Sequence, residues 1–214
     1  MGLAETQNAL ARIYTDNALR ERFFADPQTV GLELGLRSDE AEQLARISAQ
    51  KAAHFAASLL NKRIHEVAKL LPLSSRLLGQ QFRKLFRDYA ATHLPVGAKK
   101  HLEDAIGFAA FAERSPLIEH STPLWASELL AYEREFLRAG EPKPYLRWRR
   151  FRYPVHDIAR RLSKGEQVDP QLEARPVLLL WFRLSKNGGL RHRVIESKGK
   201  ASKGQSEKGE TGQR

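Results

Sequence analysis

The chain contains no cysteine, which removes disulfides, thiolate metal sites and cysteine nucleophiles together. Its longest apolar runs, such as Val177-Leu178-Leu179-Leu180-Trp181-Phe182, are far too short to cross a bilayer. The opening Met-Gly-Leu-Ala-Glu has no basic region followed by an apolar stretch, so no signal peptide is expected. No Gly-x-Gly-x-x-Gly, P-loop or Gly-x-Ser-x-Gly pattern occurs, so the common nucleotide and hydrolase signatures are missing. Histidine adds little. His54 and His65 share a helical face, and His101 and Asp104 stand three apart, but no paired Glu-x-x-His motif accompanies them. The expectation is a cytoplasmic protein of bacterial type, with no membrane association, no cofactor and no metal. An enzyme with a site near His101 and Asp104 is the least favoured reading.

What the chain does have is positive charge, unevenly placed. The formal net charge is +11. Residues 1–140 carry 18 Lys/Arg against 17 Asp/Glu, residues 141–197 carry 13 against 6, and residues 198–214 carry 5 against 2. An electrically quiet first part and a cationic last part put the outward field, and with it the expected binding, in the C-terminal third. At 214 residues, 42% of them hydrophobic, the chain suits one domain or one domain with a smaller appendage.

The first two-thirds reads as successive helices. Asp16 is an N-cap residue, and Asp26-Pro27 pairs an N-cap with proline at the first helical position. Gly35 suits a left-handed stop. Apolar residues at helical spacing run from Ala52 to Leu71 until Pro72, and Ser74 is read as the cap of a helix carrying Leu77, Phe82, Phe86 and Tyr89. Pro95-Val96-Gly97 reads as a turn. Two further helices follow, over His101–Arg114 and from Thr122-Pro123 to Gly140. The carboxylates Glu103, Asp104, Glu133 and Glu135 look like members of ordinary solvated helix faces. Seven or eight helices make a bundle over residues 1–140.

After Gly140 the pattern changes. Glu141-Pro142-Lys143-Pro144 is a stiff joint, and Tyr145–Tyr153 reads as a strand. Val155, Ile158, Ala159 and Leu162 then mark a short helix. Arg175–Ser185 and Leu190–Glu196 flank Lys186-Asn187-Gly188-Gly189, whose Asn-Gly is a hairpin signal. The expected fold is therefore α+β, mostly α: a helical bundle, then a small three-stranded antiparallel sheet with one helix over residues 141–197. Residues 198–214, rich in Lys and Gly, cannot bury a core and are expected to be disordered.

The densest local signal is Arg147-Trp148-Arg149-Arg150-Phe151-Arg152-Tyr153, with Arg183, Arg191 and Arg193 on the neighbouring strands. If Arg147, Arg149, Arg191 and Arg193 share one sheet face, they form a basic surface. Arg beside Trp and Tyr suits phosphates, stacked bases or an acidic peptide. The plainer reading is a strand edge protected from aggregation by charge, but four Arg within six residues exceed what that requires. An edge of so small a sheet can also take an extended peptide as an added strand.

Three stretches together carry a resemblance: Leu19–Pro27 leading to Leu34-Gly35-Leu36, His101-Leu102-Glu103-Asp104-Ala105 with Phe108 and Phe111, and Phe151-Arg152-Tyr153-Pro154-Val155. The layout resembles an uncharacterised bacterial family of short helical proteins with a small β-containing tail domain. That family is distantly similar to the partner subunits of multinuclear non-haem iron oxidases, the methanobactin-type enzymes that modify ribosomally made peptides. The resemblance implies a non-catalytic partner or adaptor, whose helical part contacts the larger enzyme and whose sheet holds a segment of the precursor peptide. The iron would belong to the oxidase. The unusually basic strand and the Lys-Gly tail depart from that pattern and keep a nucleic-acid-binding role as the alternative.

Overall fold

The computed structural model of the chain describes residues 3–94, 100–121, 123–140 and 143–196. Ten helices come first: α1 (Leu3–Thr15), α2 (Asn17–Ala25), α3 (Pro27–Glu33), α4 (Ser38–Ala45), α5 (Ala49–Leu70), α6 (Pro72–Leu78), α7 (Gln80–Ala90), α8 (Lys100–Ala112), α9 (Pro116–Ser121) and α10 (Ala126–Ala139). Then come β1 (Tyr145–Phe151), α11 (Val155–Ser163), β2 (Val177–Arg183) and β3 (Arg191–Glu196). The chain is α+β and mostly α, as expected. The expected turn at Pro95-Val96-Gly97, the start of the joint at Glu141-Pro142 and the Lys-Gly tail lie outside the described residues.

Local chemistry sets most boundaries. The side chain of Asp16 accepts from the Leu19 N–H, and that of Asp26 accepts from the Thr29 N–H with Pro27 next to it. Each satisfies an orphan donor of a helix start. Gly35 sits at φ 78, where glycine carries no Cβ penalty, and ends the turn after α3. Two boundaries differ from the sequence reading. The helix expected through Leu77 and Tyr89 breaks at Gly79, whose φ of 52 interrupts the ladder between α6 and α7. Ser74 lies inside α6, which starts at Pro72. The start of α6 is capped from far away instead: the Glu133 carboxylate of α10 accepts from the Leu73 and Ser74 N–H groups, both at 2.9 Å. The last long helix begins at Ala126, behind the short α9.

Three apolar clusters hold these elements. Ile13, Leu19, Phe23, Val30, Leu36 and Leu44 form one among α1–α4. A second, with Phe82, Phe86 and Phe108 in edge-on and tilted ring contacts, joins α5–α8 to Leu130 of α10. A third gathers Trp125 and Leu129 with Phe151, Ile158, Leu179 and Trp181. Helix α10 thus serves two cores, giving Leu130 to the helices and Leu129 to the sheet. The bundle expected over residues 1–140 holds one complete cluster, one shared with α10, and a helix that also seats the sheet.

The sheet has the order β1-β2-β3 with both pairings antiparallel. The expected hairpin links β2 and β3, through residues 184–190 rather than the four residues 186–189. β1 and β3 are both edges. One face lies on α10 and α11; the other has no element of the described chain over it.

Candidate binding surface on the terminal sheet

Directly paired residues in an antiparallel sheet share a face, and successive residues alternate. The register pairs Arg147 with Trp181 and Trp181 with His192. Tyr145, Arg147, Arg149 and Phe151 therefore lie on the inner face with Val177, Leu179, Trp181 and Arg183. The outer face has three rows: Leu146–Phe182–Arg191, Trp148–Leu180–Arg193 and Arg150–Leu178–Ile195. This corrects the shared surface expected of Arg147, Arg149, Arg191 and Arg193. The register sets odd-numbered residues of β1 beside even-numbered residues of β3, so the two Arg pairs point to opposite sides.

The inner arginines are tied down. Arg147 Nε lies 2.8 Å from Glu135 Oε2. Arg149 pairs with Glu113 and stands 3.9 Å from Glu135. Arg138 and Arg134 approach the same Glu135 carboxylate at 3.4 and 3.9 Å, and Arg134 reaches Glu113 at 2.7 Å. The Tyr145 hydroxyl donates to Glu135 at 3.3 Å. Glu135 is wholly buried, so four guanidinium groups converge on a carboxylate with no access to water. Such convergence offsets the desolvation of the charge. Burial, reinforced by the nearby Glu135 charge, pushes the Tyr145 phenol above its ordinary value, and burial pulls the Arg134 guanidinium below its own. This network clamps the sheet to α10 and to Glu113, the residue that follows α8.

Of the four carboxylates expected on solvated helix faces, Glu103 is exposed as expected, and the other three are corrected. Asp104, Glu133 and Glu135 are all buried. Asp104 receives Arg63 Nε and Nη2 at 3.0 Å each, so it does not form a free pair with His101. Burial and the Asp104 charge push the neighbouring Tyr89 phenol up to about 12. Among the described residues, no group of three or more His, Cys, Asp or Glu is placed to hold a metal ion.

The remaining sequence-picked residues divide. Tyr153 and Arg183 are buried. The Arg152 and Tyr153 N–H groups donate to the Glu128 carboxylate at 2.8 and 2.9 Å, and the Arg152 guanidinium lies over the Tyr153 ring. Trp148, Arg150, Arg191 and Arg193 are exposed on the outer face. None of these three arginines has an ion pair with another described residue.

The outer face also carries residues the sequence reading did not select. Leu146 is 75% exposed, Trp148 68% and Ile195 53%, while Leu178, Leu180 and Phe182 of the central strand are half-buried between them. The result is an apolar stripe of about six side chains with guanidinium groups at two of its margins. The signal was present in β2, which is apolar on both faces from Val177 to Phe182. A strand of that pattern is one covered on both sides.

Residues 45–114 match the family described as SCO6045-like, C-terminal domain. The matched stretch spans α5 to α8 and ends before α10 and the sheet, so it bears on the helical body alone. No curated protein matches the chain. No described helix is long and apolar enough to cross a membrane.

Proposed function

We propose that the protein is a non-catalytic partner or adaptor, in which the helical body contacts a larger enzyme and the terminal sheet binds an acidic peptide segment. The observation that carries this reading is the outer face, which no described element covers, where Trp148 and Leu146 stand exposed beside Arg150, Arg191 and Arg193, none of them ion-paired among the described residues. Contiguous exposed apolar surface rimmed by charge is characteristic of an interaction site. The resemblance to partners of iron oxidases that modify ribosomally made peptides gives the larger enzyme its class. In that reading the iron and its ligands reside in the oxidase. Localisation in the cytoplasm belongs to the same proposal.

Affinity purification of the full chain, with nuclease treatment and at two salt concentrations, tests it. The expected result is a defined protein or peptide that survives nuclease and moderate salt and is lost with Trp148→Ala. Recovery of nothing but nucleic acid overturns it. That outcome would favour the second reading, nucleic-acid binding, which draws on Trp148, the three outer arginines and the basic tail. Its signature would be a log-log salt slope of about −0.9 per duplex phosphate neutralised. The aliphatic character of Leu146, Leu178, Leu180 and Ile195 favours protein over nucleic acid, since bases stack on rings rather than on branched aliphatic chains.

A further inference from the structure

The outer face of the sheet has a definite size, polarity and charge pattern, and these specify the shape of what covers it. Two strand spacings of about 4.8 Å separate β1 from β3, and three rows of side chains along the strands span about 14 Å. That footprint is close to the 10–12 Å diameter of an α-helix and to the length of about ten helical residues. The apolar stripe runs along the central strand through Phe182, Leu180 and Leu178, with Leu146 and Trp148 beside it on β1 and Ile195 at the far corner of β3. Arg191 and Arg193 sit two residues apart on the β3 margin, about 7 Å along the strand and so close to one helical turn. Arg150 sits at the opposite margin, one row further on.

Three other occupants fit less well. A peptide strand added to the edge of β1 or β3 hydrogen-bonds to the backbone and leaves Trp148, Leu180 and Phe182 as exposed as before. A second copy of this chain brings its own Arg150, Arg191 and Arg193 against the first three, and like charges across an interface are repulsive. The chain's own residues 197–214 contain no aromatic residue and no Leu, Ile, Val or Met, and carry five Lys/Arg against two Glu. They match the face neither in polarity nor in sign.

We infer that the outer face binds an amphipathic α-helix of a partner protein or peptide, with an apolar stripe against Trp148, Leu180 and Phe182 and acidic residues on both flanks. The inference rests on the peptide-binding reading above and deepens it: the recognised acidic segment is helical and lies across the sheet rather than extending its edge. The inner face is already covered by α10 and α11, so such a helix completes a layered arrangement of helix, sheet and helix. Two acidic residues one turn apart on one flank would face Arg191 and Arg193, and a single one on the other flank would face Arg150. Alignment of charges in this way fixes the direction and register of the bound helix more than its affinity.

A library of unconstrained 16-residue peptides, panned on the full chain and counter-selected on Trp148→Ala, tests the inference. Thermal melts first establish that the variant is folded. The expected winners have apolar residues at i, i+3 or i+4 and i+7, with Asp or Glu beside them. The synthesised winner should gain helical circular dichroism on binding and lose affinity about tenfold or more on Trp148→Ala. It should weaken by a similar factor on Arg191→Glu/Arg193→Glu and recover when its own flanking acids are changed to Lys. Winners that alternate apolar and polar residues, bind without helical dichroism and ignore Trp148→Ala overturn the helix while leaving a peptide-binding protein. If no peptide is enriched over the counter-target and a 20-residue oligo(dT) binds instead, both this inference and the peptide reading fail.

Discussion

The two faces of one small sheet put the same side chains to different use. On the inner face, Arg147 and Arg149 are drawn onto Glu135 and Glu113, and the rings and branched chains beside them are sealed under α10. On the outer face, a few ångströms away through the same backbone, Arg150, Arg191 and Arg193 reach water, and Trp148 is as exposed as Trp181 is hidden. The difference teaches that a run of basic residues in a strand is two populations, sorted by period-two alternation. One population is structural and the other is left facing solvent.

The sharpest way to break the comparison is to cut equivalent side chains on the two sides. Trp181→Ala should cost about 3–5 kcal/mol through the cavity it leaves, whereas Trp148→Ala should stay within about 0.5 kcal/mol. Urea denaturation of both variants measures the contrast, and similar losses would mean that the outer face is packed in solution. Next comes the clamp. Glu135→Ala removes the partner of Arg147 and Arg138 and leaves Arg134 and Arg149 with Glu113 alone; it should destabilise by about 3–5 kcal/mol, the cost of breaking a buried pair. At about 2–4 °C per kcal/mol for a chain of this length, differential scanning calorimetry would read a large drop in melting temperature. Charge removal on the outer side, Arg193→Ala, should leave the melt within a degree or so.

The smallest expected effect concerns pH. Burial raises the Glu133 carboxyl above its ordinary value, although the Ser74 and Leu73 N–H groups oppose the shift. A group whose folded value lies above its unfolded one favours the fold most when protonated. Its contribution is therefore complete below about pH 4 and is lost as pH rises through the raised folded value. Glu133→Gln does not titrate, so the advantage of the native chain over this variant should shrink from pH 4 to pH 7. Melting curves of the pair across that interval check the sign, and an advantage that grows with pH would refute it.

Much of the helical scaffold was legible because its causes are local. Asp16, Asp26 and Gly35 act on residues three or four positions away, and the apolar spacing of α5 is visible in its own segment. What failed was what depends on distance along the chain. Asp104 reads as a surface acid until Arg63, 41 positions earlier, is placed against it. Glu133 reads the same way until it is found capping α6 from 59 and 60 positions away. The exposed face of the sheet was half legible. Strand identity and charge were correct, but which arginines share a face follows from the register of β3, and a one-residue slip would have exchanged the two sets. The aliphatic members of the surface were passed over because they stood in an apolar run that looked like core.

Helix α10 has one further consequence, which concerns time rather than space. Its glutamates reach back to Leu73 and Ser74 and forward to Arg147, Arg152 and Tyr153. During synthesis the α1–α4 cluster can close on its own residues, whereas the start of α6 stays without its Glu133 cap until α10 has left the ribosome. The two later cores close around one helix of fourteen residues, after the first is already made up.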